Sequence, residues 1–209
     1  KVLYVNEKVI FIVHSAFLKN YIPDNKFIAK YLYSNAFKFV TVSKTIKSKL
    51  TKKYYFENVK AIHNAVDKPQ MTALTESLLL PENFMLFFGR IEDEVKNLTL
   101  LIDSYKQSDL IDNKIKLVIL GDGNDKLKLE KKVQVLNLSE HIIFFSYTKN
   151  PYPIVSKAMC TVLSSHYEGF PTMLVESLSL GTPVISVNCE SGPSEIILDT
   201  HNGLLVDNY

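Results

Sequence analysis

Short apolar runs alternate along the chain with segments whose apolar positions fall three and four apart. The first kind predicts buried strands and the second amphipathic helices. From the start, "VIFIVHS" (9–15), "FKFVTVS" (37–43) and "VKAIHNAV" (59–66) read as strands. The helical patterns "NKFIAKYLYSNA" (25–36) and "KTIKSKLTKKYY" (44–55) separate them. This is a βαβαβ order, and crossover helices imply parallel strands. Residues 67–83 break the rhythm and read as a connector carrying a short helix. The alternation then resumes. Strands are predicted at 84–89, 116–121, 142–146, 160–165 and 183–188, and helices at 98–108, 125–136 and after Pro171. Asn97 suits an N-cap, Pro171 a first helical turn and Gly181 the position just past a helix end. The strands are apolar throughout rather than alternating, as in sheets covered on both faces. The expectation is two α/β units in series, with boundaries at 1–66, 67–80 (linker) and 81–209.

Charge divides along the same line. Residues 1–60 hold twelve lysines against three acids, whereas the remainder is net acidic, and the whole carries +2. A basic first unit suits an anionic surface, although a solvated lysine face reads the same way. No apolar stretch reaches the ~18 residues of a membrane-spanning helix, and no signal-peptide pattern opens the chain. Cys160 and Cys189 lie in apolar contexts without metal-ligand spacing. Reduced thiols and a cytoplasmic setting follow. Because Lys1 stands where Met would begin a complete protein, a fragment of a longer chain is expected.

Ligands of open parallel sheets bind beyond the carboxyl ends of the strands. In the second unit those positions are Gly89 and Arg90, Gly121 to Gly123, Ser146 and Tyr147, and His166 to Gly169. Arg90 is the only arginine among 24 basic residues. With Lys96 nearby it suits a diphosphate; an ion pair with Glu92 or Glu94 is the competing reading. The "GDG" at 121–123 lacks the third glycine of a dinucleotide fingerprint, since Lys126 occupies that place, and a plain turn fits as well. Glu168 precedes Gly169 in a loop, and Glu176 sits on the following helix. Both carboxylates can face one crevice and accept paired hydrogen bonds from vicinal hydroxyls. A turn residue at Glu168 and a surface position at Glu176 are the ordinary alternatives.

"EGFPTMLVE" (168–176) followed by "GTPVI" (181–185) resembles the E-x7-E signature of the retaining glycosyltransferases of family 4, which have the GT-B fold. "FVTVSKTIKSKL", "VKAIHNAVD", "FFGRIEDEVKNLTLLIDSY" and "GLLV" resemble further family segments in order and spacing. "SGPSEII" (191–197) resembles members that add hexoses or N-acetylhexosamines from UDP-sugars during surface-polysaccharide or oligosaccharide synthesis. The resemblance implies an α/β fold of GT-B type, with a Rossmann-like donor domain preceded by the last βαβαβ part of an acceptor domain. It assigns Arg90 and Lys96 to the donor diphosphate and Glu168, with the backbone of Gly169 and Phe170, to the donor sugar. Glu176 falls to the ribose, and Gly89, Gly121 and Tyr147 border the nucleotide. His14 follows the family's "V-x-H" strand and reaches toward the cleft, although a histidine satisfied at a strand end reads equally well.

The resemblance implies a nucleotide-sugar donor and a glycan or lipid-linked acceptor. It further implies no cofactor, no metal, no nucleic acid and a peripheral position at the inner face of the cell membrane. Ala65 replaces the usual glycine before "VD", and the final helices after "GLLV" are missing. This leaves an alternative: a non-catalytic nucleotide- or sugar-binding module of the same fold. An NAD-dependent enzyme is disfavoured by the broken glycine motif.

Overall fold

The computed structural model describes residues 8–33, 35–67 and 79–207. The proposed linker and its short helix fall almost entirely outside the described residues. The first unit is a parallel sheet of β1 (Ile10–Val13), β2 (Lys38–Thr41) and β3 (Val59–Ala61), in that spatial order. Its crossovers are α1 (Lys26–Tyr33) and α2 (Lys44–Tyr54). α2 starts where Ser43 takes an extended conformation and its hydroxyl accepts the amide of Ile46. That satisfies one of the helix's orphan donors. Ile46, Leu50 and Tyr54 recur at helical spacing and are fully buried, beside a stack of Phe39 on Phe56 with ring centroids 4.5 Å apart. The expected third strand over 59–66 is shorter, ending at Ala61. Coverage on both faces also fails at β1, where Ile10 and Ile12 are about half exposed (52% and 54%). β1 is one of the two edge strands of this sheet.

The second unit is a six-stranded parallel sheet. Its strands are β4 (Phe84–Phe88), β5 (Lys116–Leu120), β6 (Ile142–Phe145), β7 (Cys160–Leu163), β8 (Val184–Val187) and β9 (Gly203–Val206). Their spatial order is β6-β5-β4-β7-β8-β9. The chain thus grows outward from β4 in one direction, returns, and grows outward from β7 in the other. Order reverses between β4 and β7, which is where such sheets open a crevice. The central strands β4 and β5 are covered as expected, with Leu86, Phe87, Leu117, Val118 and Ile119 buried, whereas Leu204 and Val206 of the edge strand β9 are exposed. Leu98, Leu101, Ile102 and Tyr105 of α4 (Leu98–Gln107) lie at i, i+3, i+4 and i+7 and join the same core.

The remaining helices are α3 (Asp93–Lys96), α5 (Lys126–Val135), α6 (Tyr152–Val155), α7 (Thr172–Ser179) and α8 (Pro193–Ile196). The three four-residue helices α3, α6 and α8 escape periodicity analysis because one turn carries no period. Pro171 precedes α7 as its N-cap instead of lying in its first turn, and Gly181 follows the helix end at φ 78° as expected. Among the described residues, no helix is long and apolar enough to cross a membrane.

Candidate functional site

The rim residues converge because their strands are neighbours. The Gly89 amide donates to Leu120 O (3.0 Å) and the Gly121 amide to Phe145 O (3.0 Å), so the turns leaving β4, β5 and β6 lie edge to edge. Gly121 has φ 150°, and a Cβ there would stand 1.9 Å from the Gly89 carbonyl oxygen; only glycine lets the two turns touch. Asp122 then fixes the next turn. Its carboxylate accepts the Tyr147 amide (2.8 Å) and the Lys126 ammonium (2.9 Å). Lys126 first, then the Tyr147 amide, hold the Asp122 carboxyl below its ordinary range.

Beyond these turns opens a hollow of about 330 Å³, bordered by Gly89, Gly121, Tyr147, Tyr152, Thr172 and Glu176. Glu176 points into it from α7. Burial raises the Glu176 carboxyl above its usual range, a shift partly offset by the Thr172 hydroxyl. The structure therefore unites four of the expected residues: Gly89, Gly121, Tyr147 and Glu176.

Glu168 does not border that hollow. It is 9% exposed, and its Oε1 accepts both Lys96 Nζ (2.7 Å) and Ser165 Oγ (2.7 Å). Lys96 reaches it because the chain turns sharply between α3 and α4. Asn97 takes a left-handed conformation (φ 49°), ends α3 and caps α4 through its own side chain. Asp93 ties the two short segments through the Thr99 amide (2.8 Å) and hydroxyl (2.6 Å). Ser164 Oγ donates to the Lys96 carbonyl (2.9 Å), which joins this turn to the end of β7. Arg90 is solvent-exposed and pairs with Glu92 at 3.2 Å, the competing arrangement considered from the sequence, and it is not among the residues bordering the hollow.

The loop carrying Glu168 abuts the first unit. The Ala16 amide donates to Glu168 O (3.3 Å). Ser191 Oγ donates to Gly169 O (2.9 Å) and also bonds the Ser43 hydroxyl (2.7 Å). A Cβ on Gly169 would fall 1.7 Å from the His14 carbonyl oxygen. The backbone of His14 thus packs directly against Gly169, and His14 is not among the residues that border the hollow. Phe170 stacks on His63, with centroids 4.5 Å apart and planes 15° apart. Glu195 of α8 accepts the Lys44 amide (2.8 Å), the Thr45 amide (3.0 Å) and the Thr45 hydroxyl (3.0 Å), and it bonds His63 Nε2 (3.1 Å). Burial alone would raise the Glu195 carboxyl, but these donors prevail and hold it low. Sequence reading missed Tyr152, Thr172, His63, Ser191 and Glu195. His63 and Glu195 are 132 positions apart, and no local spacing relates them.

Comparison with known proteins places residues 74–209 within the family model of the glycosyl transferases group 1. The N-acetylgalactosamine-N,N'-diacetylbacillosaminyl-diphospho-undecaprenol 4-alpha-N-acetylgalactosaminyltransferase of Campylobacter jejuni is 32% identical over 186 residues, which are 88% of this chain and 50% of that protein. The crystal structure of TarM superposes with a TM-score of 0.80 at 24% identity, over 98% of this chain and 41% of the other. Anabaena Alr3699/HepE, solved with UDP and glucose, superposes with a TM-score of 0.79 at 18% identity, over 96% and 58%. The expected α/β architecture of GT-B type is thereby established. The chain spans about half the length of curated relatives such as the Campylobacter protein.

Proposed function

This chain belongs to the group 1 glycosyl transferases, and from that premise we propose that it carries the donor side of a retaining, family 4 hexosyltransferase. The enzyme moves a hexose or N-acetylhexosamine from a UDP-sugar to a glycan or lipid-linked saccharide in surface-polysaccharide or oligosaccharide synthesis. Residues 81–209 form the donor-binding domain and residues 1–66 the end of the acceptor domain. The observation that carries this reading is the glycine-lined hollow with Glu176 on its wall, while the Lys96–Glu168 pair is held at the end of β7, the strand next to β4. The Campylobacter relative is named for transfer to a diphospho-undecaprenol saccharide, and the Anabaena structure holds UDP and glucose; both support the choice of substrates.

In this reading the base lies against Gly121 and Tyr147, and Glu176 accepts the two ribose hydroxyls. Lys96 has three donor hydrogens, so it can keep Glu168 and still meet the diphosphate. Arg90 swings from Glu92 to the same phosphates. Glu168 and the Gly169–Phe170 backbone hold the sugar. The bond from the anomeric carbon to the phosphate oxygen breaks while one to the acceptor oxygen forms on the same face. The acceptor proton passes to the departing phosphate oxygen. Stabilising that leaving diphosphate is the main catalytic contribution, and the two cations fill the place a metal would otherwise take.

Calorimetry with UDP and with a panel of UDP-sugars tests the assignment. Glu176→Gln is expected to weaken UDP and UDP-sugar alike, by about tenfold each for a lost charged hydrogen bond. The wild type should lose affinity as pH falls through the raised Glu176 pKa, because the ionised carboxylate is the form that accepts two hydroxyls. The loss should therefore begin at higher pH than for an ordinary glutamate, and the Gln variant should lack it. Equal pH profiles for the two proteins would remove Glu176 from the site. Arg90→Ala should weaken UDP-sugar binding by about 2 kcal/mol, and unchanged affinity would leave Arg90 as the exposed partner of Glu92.

An exposed face of the first unit suits the proposed membrane contact. On α1, Phe27 is 74%, Ile28 51% and Tyr31 66% exposed, with Lys26 and Lys30 among them. Lys26 Nζ lies 5.4 Å from the ring centres of both Phe27 and Tyr55, so the C-terminal end of α2 continues the patch. Aromatic rings interleaved with lysines suit an anionic bilayer surface. Sedimentation with phosphatidylglycerol vesicles should exceed that with phosphatidylcholine vesicles, and Lys26→Glu with Lys30→Glu should abolish the difference. Indifference of the wild type to lipid charge would refute the contact.

A further inference from the structure

Each residue of the Glu168–Phe170 loop is held by the first unit, directly or through one intermediary. Ala16 bonds the carbonyl of Glu168, and Ser43 reaches the carbonyl of Gly169 through Ser191. His63 stacks on the ring of Phe170. The hollow at Gly89, Gly121, Tyr147 and Glu176 is built differently, for among the described residues those that border it all come from the second unit. A ligand confined to that hollow meets no described first-unit residue. A ligand that extends to Glu168 meets a loop whose position depends on how the two units are joined.

Glu195 ties them through a single side chain. It comes from α8 of the second unit, yet the hydrogen-bond partners of its carboxylate belong to the first: the amides of Lys44 and Thr45, the Thr45 hydroxyl and His63. A carboxylate at the amino end of an eleven-residue helix takes up two of that helix's orphan amides and meets the positive end of its dipole. The same carboxylate fixes the imidazole that lies against Phe170. One side chain thus clamps both the first unit and the ring that supports the sugar loop.

We propose that Glu195, acting through His63, is a positioning residue that couples the junction of the two units to the grip on the donor sugar, while the grip on the nucleotide is independent of that junction. The proposal rests on the donor reading of the Glu168–Phe170 loop. By linkage, whatever stabilises the joined arrangement strengthens sugar-dependent binding, and the sugar in turn favours the joined arrangement.

The test compares UDP with UDP-glucose and UDP-N-acetylglucosamine by calorimetry, on the full chain. Glu195→Ala and His63→Ala should each lower affinity for whichever nucleotide sugar the wild type binds by about tenfold, and leave UDP within about twofold. The double variant should lose little more than either single one, since both break one chain of contacts. Thr45→Val removes a single contact of Glu195 and should move affinity in the same direction by less, which covers the case in which the alanine variants fold poorly. An unchanged ratio of nucleotide-sugar to UDP affinity, or an equal fall in both, overturns the inference alone. A wild type that binds neither UDP nor either UDP-sugar overturns the functional reading, and the inference with it.

Discussion

Replacing Lys96 by methionine is expected to lower folding stability by about 3 kcal/mol and to abolish sugar transfer by the parent enzyme. The stability loss comes from Glu168. Its carboxylate is 9% exposed, with Lys96 and Ser165 as its hydrogen-bond partners. Methionine keeps the aliphatic stem and removes the ammonium, so one carboxylate remains in a site from which water is nearly excluded. Breaking a buried pair from one side costs about 3–5 kcal/mol; the Lys96 side chain retains 21% exposure, which favours the lower end. The double variant with Glu168→Gln should recover most of the stability, because a neutral amide needs no counter-charge. On the proposed donor reading it should not recover transfer, since the diphosphate would have lost a cation. Urea unfolding checks the first claim and an assay of the extended enzyme the second. A single variant as stable as the wild type would show that water reaches Glu168 freely.

The second large effect is expected at Gly169. Gly169→Ala should separate the two units at the sugar loop and cost several kcal/mol, beyond the ~1–3 of ordinary overpacking. The added Cβ would lie 1.7 Å from the His14 carbonyl oxygen and 2.7 Å from its carbon, and both obstacles are backbone atoms that cannot rotate aside. The least costly response is a shift of the whole loop away from the end of β1, which breaks the Ala16 amide bond to Glu168 O. Differential scanning calorimetry should report a lower melting temperature, and solution scattering a larger radius of gyration. A variant with both quantities unchanged would mean that the contact at His14 is looser than the structure has it.

Five of the six strands of the second sheet, β4 to β8, were legible in the sequence to within a residue or two, because "FMLFF" and "KLVIL" are apolar on both faces and lie between helix-spaced segments; β9 was not read as a strand. The rim was legible for the same reason: once strands are parallel neighbours, the residues just past them must meet. Glu176 could be placed near the crevice by counting turns from Pro171. The pairing of Lys96 with Glu168 was not visible, because it depends on the left-handed turn at Asn97 and on the one-turn helix α3, and neither leaves a periodic trace. Arg90 stood out by its rarity, but rarity carries no direction, and the side chain lies against Glu92. The junction of the units was the least legible. Glu195 appeared only as one residue of "SGPSEII", and its partners at Lys44, Thr45 and His63 belong to the other unit. The half-exposed Ile10 and Ile12 ran against the pattern because a strand at a sheet's edge reads the same in sequence as one at its centre.

If the proposed donor reading holds, the separation between a hollow built from one sheet and a loop supported by two bears on how this chain can be recombined with its relatives. A chimera that joins this second unit to the opening half of a cousin should inherit the nucleotide choice intact. Its selectivity among monosaccharides should drift unless the grafted half also supplies equivalents of His63 and of the Ser43–Thr45 turn.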